Sequence, residues 1–334
     1  MPHTVSREIH LKSRPRFLPS REDFEIVEVP VPRPENGQVL VRNLFLSVDP
    51  YMRGQMVEQA RANSFALGKP MDGACVGTVV ESKRPDLKAG DYVLAEKSWR
   101  ELYLSDGSEL KKFEPDGLPV QTWLGVMGIS GFTAYLGMLE VGKPHSRETV
   151  FVSAAAGAVG NTACQLAKLK GCRVIGSAGS DEKVEWLRTH GGIEAFNYKK
   201  VESIEGALKH LCPGGIDIYF DNVGGPHLEA ALESLKTFGR VLLCGMISKT
   251  EADGRPFPLT NLNLAVRKRL TLTGFRASDH LHLFEQFSSD MRRWIEEGKI
   301  AWTETIVDGL ENAPDAFLGL FRGENLGKML VRVE

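Results

Sequence analysis

The stretch Val150-Phe151-Val152-Ser153-Ala154-Ala155-Ala156-Gly157-Ala158-Val159-Gly160 constrains the fold of this chain more than any other. An apolar run flanked by small residues reads as a buried strand. From Asn161 to Lys170 the pattern changes, because Val159, Ala163, Leu166, Ala167 and Leu169 recur at helical spacing. A strand, a tight turn with two glycines and a helix bring backbone N–H groups and the positive helix end to one point. Gly157 and Gly160 remove the side chains that would keep a pyrophosphate away from it. Ala154 stands where the dinucleotide fingerprint has its first glycine, so the motif is A-x-x-G-x-x-G, and a small-residue helix start packed on a sheet also fits it. The candidate phosphate contacts are Ala156, Gly157, Ala158, Val159 and Gly160.

Strand and helix alternate from that point on. Arg173–Ala178, Ala195–Tyr198, Ile216–Phe220, Gly239–Cys244 and Leu270–Gly274 read as strands, and helices are predicted over 181–190, 201–211 and 227–235. Repeated β-α-β units specify a parallel sheet covered on both faces, a doubly wound nucleotide domain. A helix over 123–140 leads into it, and a long amphipathic helix is predicted over 279–297. The first third differs. Phe24–Val29, Gln38–Leu44, Ala74–Val80 and Asp91–Leu94 are short β-branched runs broken by Pro, Gly and Asp turns, the spacing of a small barrel. The tail from Trp302 supplies strand, helix and strand that would complete this barrel, so both chain ends build it. The expected division is 1–122 for the barrel, 123–297 for the nucleotide domain and 298–334 for the return to the barrel.

At 334 residues two domains are the ordinary expectation. Lys and Arg number 41 against 43 Asp and Glu, a balance that gives no reason to expect nucleic acid or an anionic membrane as partner. No apolar stretch is long enough to span a bilayer, and the start Met1-Pro2-His3-Thr4 lacks a hydrophobic signal core, so a cytoplasmic protein is expected. Cys75, Cys164, Cys172, Cys212 and Cys244 are odd in number and scattered, and they read as buried free thiols.

Several segments together resemble one family. They are Leu46-Ser47-Val48-Asp49-Pro50-Tyr51-Met52-Arg53-Gly54, Ala154 to Gly160, Gly179-Ser180-Asp181-Glu182-Lys183, Phe196-Asn197-Tyr198, Tyr219-Phe220-Asp221-Asn222-Val223-Gly224-Gly225 and Asn325-Leu326-Gly327-Lys328. The chain is similar through nearly its whole length to the leukotriene hydroxydehydrogenase, prostaglandin reductase and 2-alkenal reductase family, zinc-independent members of the medium-chain dehydrogenase/reductases. The resemblance implies a GroES-like barrel plus a Rossmann domain. It also implies NADPH-dependent reduction of the carbon–carbon double bond of α,β-unsaturated ketones or aldehydes.

The residues bear on that implication. A site for NAD ends its second strand in a carboxylate that accepts the ribose hydroxyls, whereas Ser177-Ala178-Gly179-Ser180 is small and uncharged. Gly179, Ser180, Lys183 and Tyr198 are therefore candidates for the added phosphate of NADP, with a lysine and tyrosine used similarly in the family. Alone, Lys183 also fits a solvated helix lysine. Asn222 follows the fourth strand and offers donor and acceptor to a ribose or carboxamide; an ordinary strand-to-helix turn is the other reading. The resemblance implies that Cys244, Gly245, Met246, Ile247 and Ser248, and Phe275, Arg276 and Ala277, flank the nicotinamide. It implies too that Asn325 reaches the cofactor, although a lone Asn beside Gly327 also fits a turn.

For the chemistry, the Asp49-Pro50-Tyr51 turn can aim Tyr51 at substrate, and it also fits a short helix with Asp49 as N-cap and Pro50 at its first position. Both readings are compatible. Hydride addition to an enone leaves charge on the carbonyl oxygen, which needs a donor, and Tyr51 is the candidate. Ser278 stands where several family members carry a tyrosine after Gly274-Phe275; it is a second catalytic candidate whose hydroxyl can still donate a hydrogen bond, and it leaves a wider pocket. No metal is expected: the barrel segment offers no set of three zinc ligands, and His145, His190, His210 and His227 read as scattered, solvated residues. Quinone reduction on the same fold and non-enzymatic NADPH binding are the rival readings. The run Arg269–Gly274 reads as a sheet edge, through which a two-fold homodimer is expected.

Overall fold

The structure is a computed structural model that describes residues 4–57, 64–248 and 257–333; the sequence start at 1–3 lies outside the described residues. The chain divides into two compact units, Met1–Leu124 with Glu304–Glu334, and Gly125–Thr303.

In the second unit six strands form one sheet in the order Glu194–Asn197, Arg173–Ala178, Thr149–Val152, Ile216–Asp221, Leu235–Leu243, Thr271–Gly274. Every pairing in it is parallel. The strands are apolar on both faces because helices cover both, and Val150, Phe151, Val152, Ile218, Tyr219 and Phe220 are all fully buried. Phe151 stacks on Tyr219 with ring centroids 5.1 Å apart, and Phe196 stacks on Phe151 from the other side at 6.2 Å. The chain leaves the central strand Thr149–Val152 toward Arg173–Ala178 and later returns to its other side with Ile216–Asp221. Strand order reverses there, so the carboxyl ends of these three strands form the crevice in which doubly wound sheets bind nucleotides.

In the first unit a seven-stranded sheet runs in the order Glu304–Asp308, Lys328–Arg332, Val39–Ser47, Cys75–Ser82, Tyr92–Ala95, Lys111–Phe113, with Leu102–Ser105 also paired to Val39–Ser47. Residues from both ends of the chain contribute to this sheet. Fully buried Trp99 centres this core, stacked on Phe24 at 5.5 Å and meeting Phe317 edge-on at 6.0 Å. The strand Thr4–Leu11, which pairs with Phe24–Val31, was not evident from sequence: its burial does not alternate, so the two-residue period is missing.

Three helices differ from their expected outlines. The 123–140 segment divides into a 3-10 turn Val120–Leu124, an α-helix Ile129–Tyr135 and a π-turn Leu136–Gly142 that ends at left-handed Lys143. Close packing accompanies the π-turn, since a Cβ on Gly137 would lie 2.3 Å from the Phe275 ring. The long helix is Phe284–Glu296, preceded by a 3-10 segment Ala277–Leu283 that breaks at His280. The helix expected from Val201 begins at Ile204, where the Ser203 hydroxyl accepts the Gly206 N–H at 3.0 Å. Among the described residues no helix is long and apolar enough to cross a membrane.

Candidate active site

The glycine turn is built around strain and close approach. Ala154, in the place of the fingerprint's first glycine, adopts φ +47°, and its carbonyl accepts the Gly157 N–H at 2.9 Å. The helix Ala158–Leu169 follows, with Gly157 as its N-cap. A Cβ on Gly160 would stand 2.3 Å from the Ala154 carbonyl oxygen, whereas one on Gly157 would meet only that oxygen, at 3.3 Å. Gly160 is therefore needed for packing, and Gly157 leaves the helix N-terminus open to an anion. Ala156 is buried, and Ala158 and Val159 are half-buried on the same turn.

At the end of the next strand Ser180 caps the helix Asp181–Trp186, its hydroxyl accepting the Lys183 N–H at 3.4 Å. Asn197 donates to Asp181 Oδ1 at 2.8 Å, and its own Oδ1 accepts the Lys199 N–H at 3.0 Å, which ties the two strand ends together. A Cβ on Gly179 would lie 3.1 Å from the Tyr198 hydroxyl and 3.4 Å from Lys199 Cε. Burial, and then the charge of Lys199, lower the Lys183 pKa below the ordinary lysine value. The Tyr198 pKa is raised by burial. Two ammonium groups and a phenol thus gather where the strand itself ends in small uncharged residues and the nearby Asp181 carboxylate is already taken by Asn197 and Lys200, an arrangement suited to a phosphate monoester. Lys199 was not singled out from sequence, where it is one more lysine in Tyr198-Lys199-Lys200.

Asn222 lies at the end of Ile216–Asp221, its N–H donating to Ser153 Oγ at 3.0 Å and its amide to the Ser153 carbonyl at 2.8 Å. Cys244 and Gly245 each donate a backbone N–H to the Asp221 carbonyl at 3.0 Å, and Ser248 donates to the Val223 carbonyl at 2.9 Å. Met246 is half exposed, with Ile247 half-buried beside it. Burial, and then Asp221, push the Cys244 thiol up to about 12, so it is a neutral wall residue and not a nucleophile. Past the edge strand, the Phe275 ring meets Phe220 edge-on at 6.1 Å, Arg276 is exposed and Ala277 is buried. Ser278 is exposed, and its hydroxyl donates to Asp279 at 3.1 Å.

In the barrel unit Tyr51 is the N-cap of the four-residue helix Met52–Gln55 and is 50% exposed. Fully buried Met52 anchors this turn. The expected N-cap role of the Asp49 side chain is corrected: its carboxylate is occupied by the Lys328 ammonium at 2.7 Å and by the Ser47 hydroxyl, and only its backbone carbonyl accepts the Met52 N–H. Loss of solvation around the part of the Tyr51 side chain that is covered, and then the carboxylates of Asp49, Glu96 and Asp72, raise its pKa above the ordinary tyrosine value. The hydroxyl consequently remains a donor. Asn325 Nδ2 donates to the Gly327 carbonyl at 2.7 Å, the bond of its turn reading.

The expectation of a solvated His227 is also corrected. It is 4% exposed, its ring packs edge-on against Tyr198 at 4.9 Å, and its Nε2 has no partner among the described residues. A histidine that begins an amphipathic helix gives no sequence sign of which face it takes. His145, His190 and His210 are exposed.

Zinc does not fit the donors present. Among the described residues no three His, Cys, Asp or Glu side chains are grouped to hold a metal ion. Cys75, the cysteine nearest the expected ligand segment, is fully buried and its thiol is pushed up to about 12, so a thiolate there is disfavoured.

A doubly wound unit with its nucleotide crevice and a phosphate-suited cluster, together with a barrel unit built from both ends of the chain, defines a dinucleotide-dependent oxidoreductase of the two-domain kind. Comparison with known proteins agrees. Residues 7–113 match the family described as "N-terminal domain of oxidoreductase", and residues 158–297 the one described as "Zinc-binding dehydrogenase". Prostaglandin reductase 1 of Bos taurus is 44% identical over 97% of this chain and 99% of its own. The NADP(+)-dependent 2-alkenal reductase of Nicotiana tabacum is 41% identical over 98% and 97%. The crystal structure of CurA in complex with NADPH from Vibrio vulnificus superposes with a TM-score of 0.90 at 38% identity, covering 98% of this chain and 99% of that one. The chain belongs to the zinc-independent medium-chain dehydrogenase/reductases of the leukotriene hydroxydehydrogenase, prostaglandin reductase and 2-alkenal reductase family.

Proposed function

We propose that the protein is an NADPH-dependent reductase of the carbon–carbon double bond of α,β-unsaturated aldehydes and ketones. The observation that carries this reading is the gathering of Tyr198 and Lys199 over Gly179, with Lys183 near enough to feel the charge of Lys199, together with the relatives' names. The residues we assign to cofactor are the turn 156–160, Gly179, Ser180, Lys183, Tyr198, Asn222, the segment 244–248, Phe275, Arg276, Ala277 and Asn325. When bound, NADPH supplies the hydride for the β-carbon. The chain's part is to bind, to orient and to stabilise the oxygen that gains charge as the double bond is reduced. Tyr51 is the donor we assign to that oxygen, because it is a half-exposed phenol on the turn after the strand Val39–Ser47 and its hydroxyl donates to no partner among the described residues. Ser278 is a weaker candidate, since its hydroxyl is directed to Asp279.

The same reading places the protein in the cytoplasm, where its five free cysteines would stay reduced. It also takes the protein as a homodimer paired through the edge strand Thr271–Gly274. Phe238 and Val266, 68% and 81% exposed, neighbour that edge, and the Arg269 guanidinium lies 4.8 Å from the Phe238 ring. A monomeric mass in light scattering at micromolar concentration would count against the dimer.

The deciding experiment follows oxidation of NADPH with a small enone, a long-chain enone and a quinone, and repeats it with NADH. Rapid enone-dependent oxidation of NADPH with little of NADH is expected. Oxidation by quinone alone would overturn the substrate class, and no oxidation with any acceptor would leave a cofactor-binding protein.

A further inference from the structure

Tyr219 lies between Ile218 and Phe220 in the strand Ile216–Asp221, and it is fully buried. Its hydroxyl lies 2.7 Å from Asp221 Oδ1 and 3.0 Å from Ser153 Oγ. A phenol has one proton, and the shorter contact, to a carboxylate, takes it. The serine hydroxyl, whose other acceptor is the Phe220 carbonyl at a longer 3.4 Å, is then the donor in the second contact, and its oxygen accepts the Asn222 N–H at 3.0 Å. The chain of bonds therefore runs from Asn222 through Ser153 and Tyr219 to Asp221.

Asp221 joins it to everything else at this edge. Its Oδ1 also accepts the N–H groups of Val223 at 3.0 Å and Gly224 at 2.7 Å, and its backbone carbonyl holds Cys244 and Gly245. Ser153 begins the glycine turn. One buried hydroxyl thus lies between the turn 153–160, the loop 222–225 and the loop 244–248, the three segments to which the proposed function assigns phosphate, ribose and nicotinamide.

We propose that Tyr219 is a positioning residue for the cofactor: through Ser153 and Asp221 its hydroxyl holds these three loops in the one register that binds a dinucleotide. It touches neither cofactor nor substrate. The inference rests on the NADPH reading above.

Tyr219→Phe tests it, because the ring keeps its stack on Phe151 while the chain of bonds is cut. The dissociation constant of NADPH, measured by nucleotide fluorescence, is expected to rise about tenfold, the equivalent of one lost charge-assisted hydrogen bond. The constant for NADH is expected to rise by the same factor, since the Lys183 cluster is untouched. Ser153→Ala cuts the chain at its next link and should give a similar loss, with the double variant no worse than either single one. Unchanged affinity in Tyr219→Phe alongside a lowered melting temperature would make the hydroxyl a plain stabilising group and overturn the proposal, as would fully additive losses in the double variant. Failure of the unaltered protein to bind NADPH would overturn the cofactor reading itself; equal binding by protein and variant would overturn the positioning role alone.

Discussion

The ammonium of Lys328 stands 2.7 Å from the carboxylate of Asp49 and 3.1 Å from the Val48 carbonyl, so the last strand of the chain holds the turn that presents Tyr51. Lys328 is 4% exposed. Removing one partner of so buried a pair leaves the other charge uncompensated, at a cost of about 3 kcal/mol. Lys328→Met should lower the melting temperature accordingly and reduce enone turnover by loosening the Tyr51 turn. Adding Asp49→Asn should recover most of the lost stability, because no bare charge then remains. Thermal unfolding of the two variants checks both statements; no recovery in the double variant would mean that packing, not charge, is what Lys328 supplies.

Tyr51→Phe keeps the ring and deletes the donor. Loss of a donor aimed at developing charge costs on the order of a hundredfold in turnover. The carboxylates and surroundings that raise the phenol's pKa also predict that activity shows no loss from its ionisation as pH rises through the ordinary tyrosine value. Steady-state kinetics across that range measure both, and unchanged turnover in the variant would take Tyr51 out of the chemistry.

The two glycines of the phosphate turn should behave differently. A methyl group on Gly160 would meet backbone, the Ala154 oxygen at 2.3 Å and the Ala155 Cα at 2.9 Å, which cannot move aside cheaply. Gly160→Ala should cost several kcal/mol, above the usual overpacking range of roughly 1–3 kcal/mol, and lower the yield of folded protein. Gly157 has φ −82°, which alanine adopts freely, and its nearest contact would be at 3.3 Å. Gly157→Ala should therefore fold normally and lose NADPH affinity about tenfold, because the methyl stands where the phosphate approaches. Melting temperature and nucleotide titration separate the two outcomes.

Which parts of this were legible in the sequence follows from the range of the interactions concerned. The glycine turn, the alternating strands and the tail that returns to the barrel are marked by local periodicity and turn chemistry. Asp217, Tyr219 and Asp221 left a faint sign, polar residues at every second position of an apolar strand and hence on one face, but Ser153, the partner of Tyr219, begins the turn after another strand. Asp49 reads locally as an N-cap because its neighbours Pro50 and Tyr51 suit a helix start. Lys328, nearly three hundred residues away, competes for the same carboxylate and takes it. The burial of His227 was equally hidden, since it depends on the packing of Tyr198, which belongs to a different β-α unit.

Cofactor choice should depend on pH through Lys183. Burial and the neighbouring charge of Lys199 lower its pKa, so its ammonium gives up the proton at a lower pH than an ordinary lysine. Affinity for the phosphate of NADPH should then fall as pH rises toward that point, while affinity for NADH stays level. Lys183→Ala and Lys199→Ala should each weaken NADPH binding about tenfold, with a shallower dependence on salt, and leave NADH unchanged. A variant that weakens both nucleotides equally would show that the lysine serves the fold and not the phosphate.

His227 should set part of the acid limit of stability. Burial lowers its pKa to about 4 from the ordinary 6.5, so the unfolded chain takes up a proton that the folded chain refuses. With the folded pKa depressed for a basic group, the sign is that stability is unaffected above about pH 6.5 and declines as pH falls toward 4. The full difference is roughly 3 kcal/mol at the bottom of that window. His227→Phe removes the titrating group and keeps an aromatic ring against Tyr198, so its melting temperature should fall less steeply than that of the unaltered protein between those limits. Parallel acid curves for the two proteins would place the controlling proton elsewhere, and a flattened curve accompanied by lower NADPH affinity would show that the neutral imidazole also supports the Tyr198 hydroxyl over Gly179.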